Sequence, residues 1–263
     1  VSEIAGAGVH PTALVDPSAR VDPTAHVGPG AILGPGVEVG KDARIGPRVL
    51  VERDTVVGDG CRVHFGAVLG SDPQDLKYAG EPTRLEVGPR TVIREFCTLN
   101  RATTATGVTR VGSDCLLMAY THVAHDCRVG DHVILANAVT MGGHCEIGDW
   151  VILGGLVGIH QFTRIGPHAF VGGCSRVVQD VPPFLMAVGN PCEPRGINVV
   201  GLRRRGFVPS DVEALRRAYR ALFMSRTRNL GQSLAELEAE GGVTAPVADL
   251  LAFIRASERG VIT

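Results

Sequence analysis

The sequence predicts a mainly β protein, a parallel β-helix with an α-helical C-terminal region, from three observations. An aliphatic side chain returns every sixth residue, two breaks interrupt that period, and the period gives way to helical spacing near the C-terminus. The hexads run through Val9, Val15, Val21, Val27, Leu33, Val39, Ile45, Val51, Val57, Val63 and Leu69. They resume at Val87, Ile93 and Leu99, and again from Val111 through Leu117, Val123, Val129, Leu135, Met141, Ile147, Leu153, Ile159, Ile165 and Val171 to Val177. All 26 positions are aliphatic or Met, so each hexad is read as one short side of a coil whose stacking buries a continuous core. Gly follows the aliphatic in 14 of the 26 hexads, and Pro often stands next, as at Leu33-Gly34-Pro35; both suit tight corners.

The prism is expected over residues 1–190, with loops inserted at about 71–86 and 100–110, and the helical domain over 191–263. Between Leu69 and Val87 stand 18 residues where six would do, and between Leu99 and Val111 twelve. The longer loop, Asp72 to Arg84, is too polar for a core and carries Lys77, one of only two lysines. After Asp180-Val181-Pro182-Pro183, a helix is expected from an N-cap at Ser210 to about Met224, then shorter helices near 233–240 and 246–258. Such helices would cover the open end of the coil stack.

A net charge of -1 speaks against nucleic acid as a partner. With no apolar run of bilayer length and no basic-then-apolar leader, a cytoplasmic protein without an integral membrane segment is expected. Seven cysteines without paired spacing argue against disulfides and structural zinc. Cys61, Cys97, Cys115, Cys127 and Cys145 each stand four residues after a repeat aliphatic, as small core fillers.

The chemistry is placed at Thr121-His122-Val123-Ala124-His125-Asp126. If three hexads close one coil, residues 18 apart stack at about 4.7–4.9 Å. His125, Gly143 and Gln161 then form one column, Asp126, His144 and Phe162 the next, with His122 and His160 beside them. Both insertions leave the prism at that edge. His125 occupies the corner position held elsewhere by Pro17, Pro29 and Pro35, and so points outward. A histidine followed by an aspartate suits a general base, and Gly143 leaves a backbone N–H open to an oxyanion. With no nucleophile of the protein's own, direct transfer of an activated acyl group to a hydroxyl or amine is favoured. A flat-sided prism has no cleft, so the second wall is expected from the long loop or another copy of the chain. Arg203-Arg204-Arg205 reads as a solvated charge run or an anion site.

The hexads, the Gln74-to-Arg84 loop, Ala124-His125-Asp126-Cys127, Gly142-Gly143-His144, His160-Gln161-Phe162 and Gly201-Leu202-Arg203-Arg204-Arg205-Gly206-Phe207 resemble the UDP-N-acetylglucosamine 3-O-acyltransferase family over nearly the whole chain. That resemblance implies a left-handed parallel β-helix of hexapeptide repeats, a homotrimer, and no cofactor or metal. It implies transfer of a (3R)-3-hydroxyacyl chain from acyl carrier protein to the 3-hydroxyl of UDP-N-acetylglucosamine, the opening step of lipid A biosynthesis. His125 would be the base, Asp126 its orienter and the Gly143 amide the oxyanion donor. Gln74, Asp75, Lys77, His122, His144, His160 and Gln161 would hold sugar, diphosphate or thioester, and Asn198, Arg204 and Arg205 the nucleotide. Gly173 would set acyl length, its lack of a side chain favouring a long chain. Arg203, Arg216, Arg217 and Arg220 are candidates for docking an acidic carrier protein. Val200 departs from the family's nucleotide-contacting Glu, and Asn100 from the His of some relatives. The alternatives are an acyltransferase for a 3-amino sugar, a γ-type carbonic anhydrase, whose His-x4-His spacing is absent, and a noncatalytic scaffold.

Overall fold

The structure is a computed structural model describing residues 8–225, 227–241 and 243–263, so the first seven residues assigned to the prism lie outside the described residues. From Gly8 the chain winds as a left-handed parallel β-helix with three flat faces. Face 1 runs from the strand Gly8–Val9 to Leu185–Val188 and Glu193–Ile197. Face 2 runs from Leu14–Val15 to Arg176–Val177, and face 3 from Arg20–Val21 to Arg164–Ile165.

Most strands have two residues, one outward and one inward, and the inward one is the repeat aliphatic; Leu33, Leu69, Leu117, Leu135 and Leu153 are at most 1% exposed. Register follows the hexad count. His122 pairs with Thr140 and Thr140 with Gly158, a step of 18 residues. The step lengthens to 30 at Leu69↔Leu99 and to 24 at Leu99↔Val123, so each insertion bulges out and the coils rejoin in register, with one local register shift between Leu69 and Ser71 where the first leaves. The five cysteines expected as core fillers are buried.

Most corners repeat one conformation. The third residue after the inward aliphatic has a positive φ, as in Gly30, Gly36, Asp126 (61°), His144 (61°) and Phe162 (63°). Proline precedes it at Pro29-Gly30 and Pro35-Gly36, the pairing a type II turn prefers. His125 and Asp126 therefore occupy the two central turn positions, where side chains leave the prism. Coils approach too closely for a side chain at some corners: a Cβ on Gly34 would stand 1.6 Å from the carbonyl oxygen of Glu52.

The faces differ outside. Beyond its first coils, whose outward residues include His26, Arg44 and Arg62, face 1 presents Val92, Leu116, Ile134, Ile152, Phe170 and Met186 in one row, none charged and all half-buried. Face 3 presents charges, with Glu86 paired to Arg110 at 3.0 Å and Glu146 to Arg164 at 3.5 Å.

The C-terminal region differs from the sequence expectation in detail. An antiparallel hairpin, Leu185–Val188 with Glu193–Ile197, extends face 1, and its turn contains the cis Asn190-Pro191 bond near which the helical region was expected to begin. Helix α1 (Val199–Arg204) precedes α2 (Pro209–Phe223), and the arginine run forms the end of α1. Ser210 is not the N-cap: Val208 is, and Pro209 fills the first helical position, where its missing N–H costs nothing. α3 (Leu230–Glu240) starts three residues earlier than expected, because Asn229 and Gln232 form a capping box. α4 (Ala245–Arg255) completes a second apolar cluster of Leu202, Leu215, Leu222, Leu250 and Phe184 over the end of the prism.

Leu135→Ala removes a fully buried branch from the rigid coil interior and is expected to cost about 2–5 kcal/mol, read as a lower denaturant midpoint.

Candidate active site

The corner between faces 2 and 3 gathers the histidine and aspartate candidates. His125 Nδ1 lies 2.7 Å from Asp126 Oδ2, with 13% of the His125 side chain exposed and none of Asp126. Facing a carboxylate, Nδ1 carries the proton, which leaves Nε2 as the free basic nitrogen. The next coil sits directly above, where the His144 N–H donates to the His125 carbonyl at 3.1 Å. A Cβ on Gly143 would stand 2.6 Å from Cε1 of His125, so only glycine gives the ring its room. Among the described residues the Gly143 N–H has no acceptor, leaving it open at the same corner. The His144 ring meets His125 edge-on at 5.3 Å, places Nε2 3.7 Å from Asp126, and stacks on Phe162 at 4.4 Å.

Asp126 is gripped from the second insertion, residues 101–107. Thr103 donates its N–H at 3.1 Å and its hydroxyl at 2.9 Å, and Thr106 donates its N–H at 3.2 Å and its hydroxyl. Burial works to raise the carboxyl's pKa, but the hydrogen bonds from Thr106, His125 and Thr103 together outweigh it and hold the group below its ordinary value. Neither threonine was singled out from sequence. The available signal was the insertion's departure from this same corner.

His122 stands outward on face 2, its Nδ1 2.7 Å from the Thr98 hydroxyl; burial, then the neighbouring His125, lowers its pKa. His160 and Gln161 continue the ridge upward, and Arg259, after α4, reaches back to both: Nη1 donates to the Gln161 carbonyl at 3.0 Å and Nη2 lies 3.2 Å from His160 Nδ1. Sequence reading missed Arg259, which lies 98 residues from Gln161. In the first loop Gln74 and Lys77 are exposed, Leu76 fully so, while Asp75 accepts the Lys77 N–H at 3.0 Å. The loop's base is tied to Arg101, 1% exposed, which donates to the Gly70 carbonyl, to Asp72 and to the Tyr78 hydroxyl. Asn100 turns its amide into the same base, donating to Asp72 O at 2.7 Å, rather than toward the ridge.

The remaining candidates lie on other edges. Asn198 caps α1, accepting the Gly201 N–H at 3.1 Å and donating to the His168 carbonyl at 2.9 Å. Arg205 lies 3.3 Å from His168 Nδ1 and over the Trp150 ring, at the corner between faces 3 and 1; Arg204 and Val200 are exposed on α1. Gly173 lies at the corner between faces 1 and 2, where a Cβ would meet the Gly155 carbonyl at 3.1 Å. A groove of about 720 Å³ follows face 3, lined by Arg110, Arg128, Glu146, Arg164 and Phe253, and none of the ridge histidines lines it.

His125, Asp126 and His144 place one ligand atom each within 4.8 Å of one another, close enough for a metal ion. Both Asp126 oxygens already accept hydrogen bonds from Thr103, Thr106 and His125, so a cation would have to displace these donors. The donor set fits proton transfer better.

Residues 180–262 match the family model described as UDP N-acetylglucosamine O-acyltransferase, domain 2, and residues 36–71 and 109–143 match the bacterial transferase hexapeptide model. The chain is 50% identical over 259 residues to the acyl-[acyl-carrier-protein]–UDP-N-acetylglucosamine O-acyltransferase of Burkholderia vietnamiensis, covering 97% of this chain and 98% of that one. The solved UDP-N-acetylglucosamine acyltransferase of Bacteroides fragilis superposes with a TM-score of 0.95 at 36% identity, covering 97% of this chain and 100% of that one. The Francisella novicida enzyme superposes with a TM-score of 0.93 at 32% identity, covering 97% and 94%.

His168 makes the stability of the fold depend on pH. Burial, then Arg205, pushes its pKa down from 6.5 to about 4. Between those values the unfolded chain binds the extra proton, so the stability His168 contributes is present above 6.5 and is lost as pH falls toward 4. The denaturation midpoint should decline over that window, and less steeply in His168→Phe.

Proposed function

This chain belongs to the UDP-N-acetylglucosamine O-acyltransferase family, and we propose that it transfers a (3R)-3-hydroxyacyl chain from acyl carrier protein to the 3-hydroxyl of UDP-N-acetylglucosamine, opening lipid A biosynthesis. The observation that carries the mechanism is the 2.7 Å His125–Asp126 contact beside the unengaged Gly143 N–H. His125 Nε2 takes the proton of the acceptor hydroxyl as its oxygen attacks the thioester carbonyl. Asp126 stabilises the imidazolium, and the Gly143 N–H receives the oxyanion of the tetrahedral intermediate. Collapse breaks the C–S bond, and the proton passes from His125 to the departing thiolate. The chemistry so drawn needs no metal or cofactor. Gln74, Asp75, Lys77, His122, His144, His160 and Gln161 hold sugar, diphosphate or thioester, Asn198, Arg204 and Arg205 the nucleotide, and Gly173 leaves space for the acyl chain.

Those groups occupy three different edges, so one site takes them from more than one chain, in a homotrimer. The uncharged stretch of the face 1 outer row, Val92 to Met186, supports such an association, since burying it against a neighbour removes apolar surface from water. Of the arginines suited to an acidic carrier protein, Arg203, Arg217 and Arg220 are exposed, while Arg216 pairs with Glu213 at 3.3 Å. No described helix is long and apolar enough to cross a membrane; we place the enzyme in the cytoplasm, with its carrier-protein donor.

Assay with UDP-N-acetylglucosamine and a panel of acyl carrier protein thioesters should yield the 3-O-acyl product, and preference for a 3-amino sugar acceptor would redirect the reading. His125→Ala should lower kcat by roughly 10²- to 10⁴-fold, and a folded variant with normal turnover would remove His125 from its role. Gly173→Met should shift preference to shorter donors; an unchanged profile would dismiss the length role. Sedimentation equilibrium should find a trimer, against which an active monomer would count.

A further inference from the structure

We propose that Thr103 and Thr106, in the short second insertion, are positioning residues that hold Asp126 as a carboxylate turned toward His125. The proposal rests on the reading of His125 as the base and extends it to a segment with no role assigned so far.

Both threonines use two donors on one carboxylate, a backbone N–H and a hydroxyl. With His125 Nδ1 the carboxylate receives five donors while its side chain is fully buried. A buried carboxyl with one partner would resist ionisation; five donors reverse that preference, and a proton on Asp126 would displace at least one of them. The Asp126 N–H donates to the Thr109 hydroxyl at 2.8 Å, which ties the corner to the strand that leaves the insertion. Among the described residues, the titratable groups facing the carboxylate are His125, His144 at 3.7 Å and the buried Cys127 thiol. None brings a permanent positive charge, which leaves the threonines to maintain the anion.

The insertion is braced at both ends. Arg101 N–H donates to the Ser71 carbonyl at 2.9 Å and Ala102 N–H to the Arg84 carbonyl at 3.4 Å, joining it to the two ends of the first loop. The Gly107 N–H closes back on the Thr103 carbonyl at 2.9 Å. A rigid clamp of this kind keeps the proton on Nδ1 of His125 and the Nε2 lone pair toward the acceptor hydroxyl throughout the cycle.

The test compares Thr103→Val, Thr106→Val, the double variant and the corresponding serines with wild type and His125→Ala, reading kcat, KM for both substrates and the pH dependence of kcat/KM. Valine keeps shape and backbone N–H while deleting the hydroxyl. The double valine variant is expected to lose about 10- to 100-fold in kcat with KM little changed. Its acid limb should leave the wild-type position, because that limb reports protonation of the base His125, whose imidazolium the Asp126 carboxylate stabilises, and serine should restore both. A double variant that melts like wild type yet keeps its kcat and acid limb overturns the clamp, as does failure of serine to rescue. If the double variant does not fold, the single variants carry the same readings. Loss of activity in His125→Ala with an unaltered threonine profile sinks the clamp alone, whereas an active His125→Ala sinks the base and the clamp together.

Discussion

Coil-on-coil hydrogen bonding is the constraint on which everything else depends. Each two-residue strand pairs with the strand one turn away, so the backbone groups of a coil are satisfied only if the next coil repeats its register. That demand keeps the aliphatic residues inside and lines up turn residues from successive coils at about 4.8 Å. His125, Gly143 and Gln161 become neighbours through this stacking alone. The constraint also explains where extra residues are tolerated. Inserted within a strand they would turn inward side chains outward, whereas at a corner they can bulge away and rejoin in register.

Electrostatics at the ridge follow from burial and its compensation. A carboxylate removed from water is unfavourable unless paired, and Asp126 meets that demand with donors from its own turn and from the second insertion. The insertion therefore belongs to the candidate site as much as the hexads do. His144 adds a second imidazole at longer range, fixed by its stacking on Phe162.

Shape decides what one chain can accomplish. A triangular prism separates its three edges by flat sheets. The proposed base, nucleotide residues and acyl-length residue each occupy a different edge of the same chain. A reaction that needs all three must bring edges of different copies together, and this is the physical basis for the proposed trimer. Face 3, with its paired charges, is suited to water, whereas the apolar stretch of the face 1 outer row from Val92 to Met186 is less so.

Much of this was legible in the sequence because hexad spacing converts directly into position: the inward aliphatics, the buried cysteines, the outward turn at His125-Asp126 and the shared corner of both insertions all follow from counting. Helix ends were less legible, since Pro209 and Asn229 mark the starts of α2 and α3 by local capping chemistry that competing signals such as Ser210 obscure. The threonine grip on Asp126, the Arg101 anchor and the return of Arg259 to His160 were not legible at all. They join residues outside the repeat to residues within it, and no period relates the two. The sequence by itself determined the prism, its register and the outward ridge, because parallel stacking leaves those no freedom; only the tertiary structure decided which loop atoms satisfy the buried carboxylate, because irregular backbone finds its partners in space.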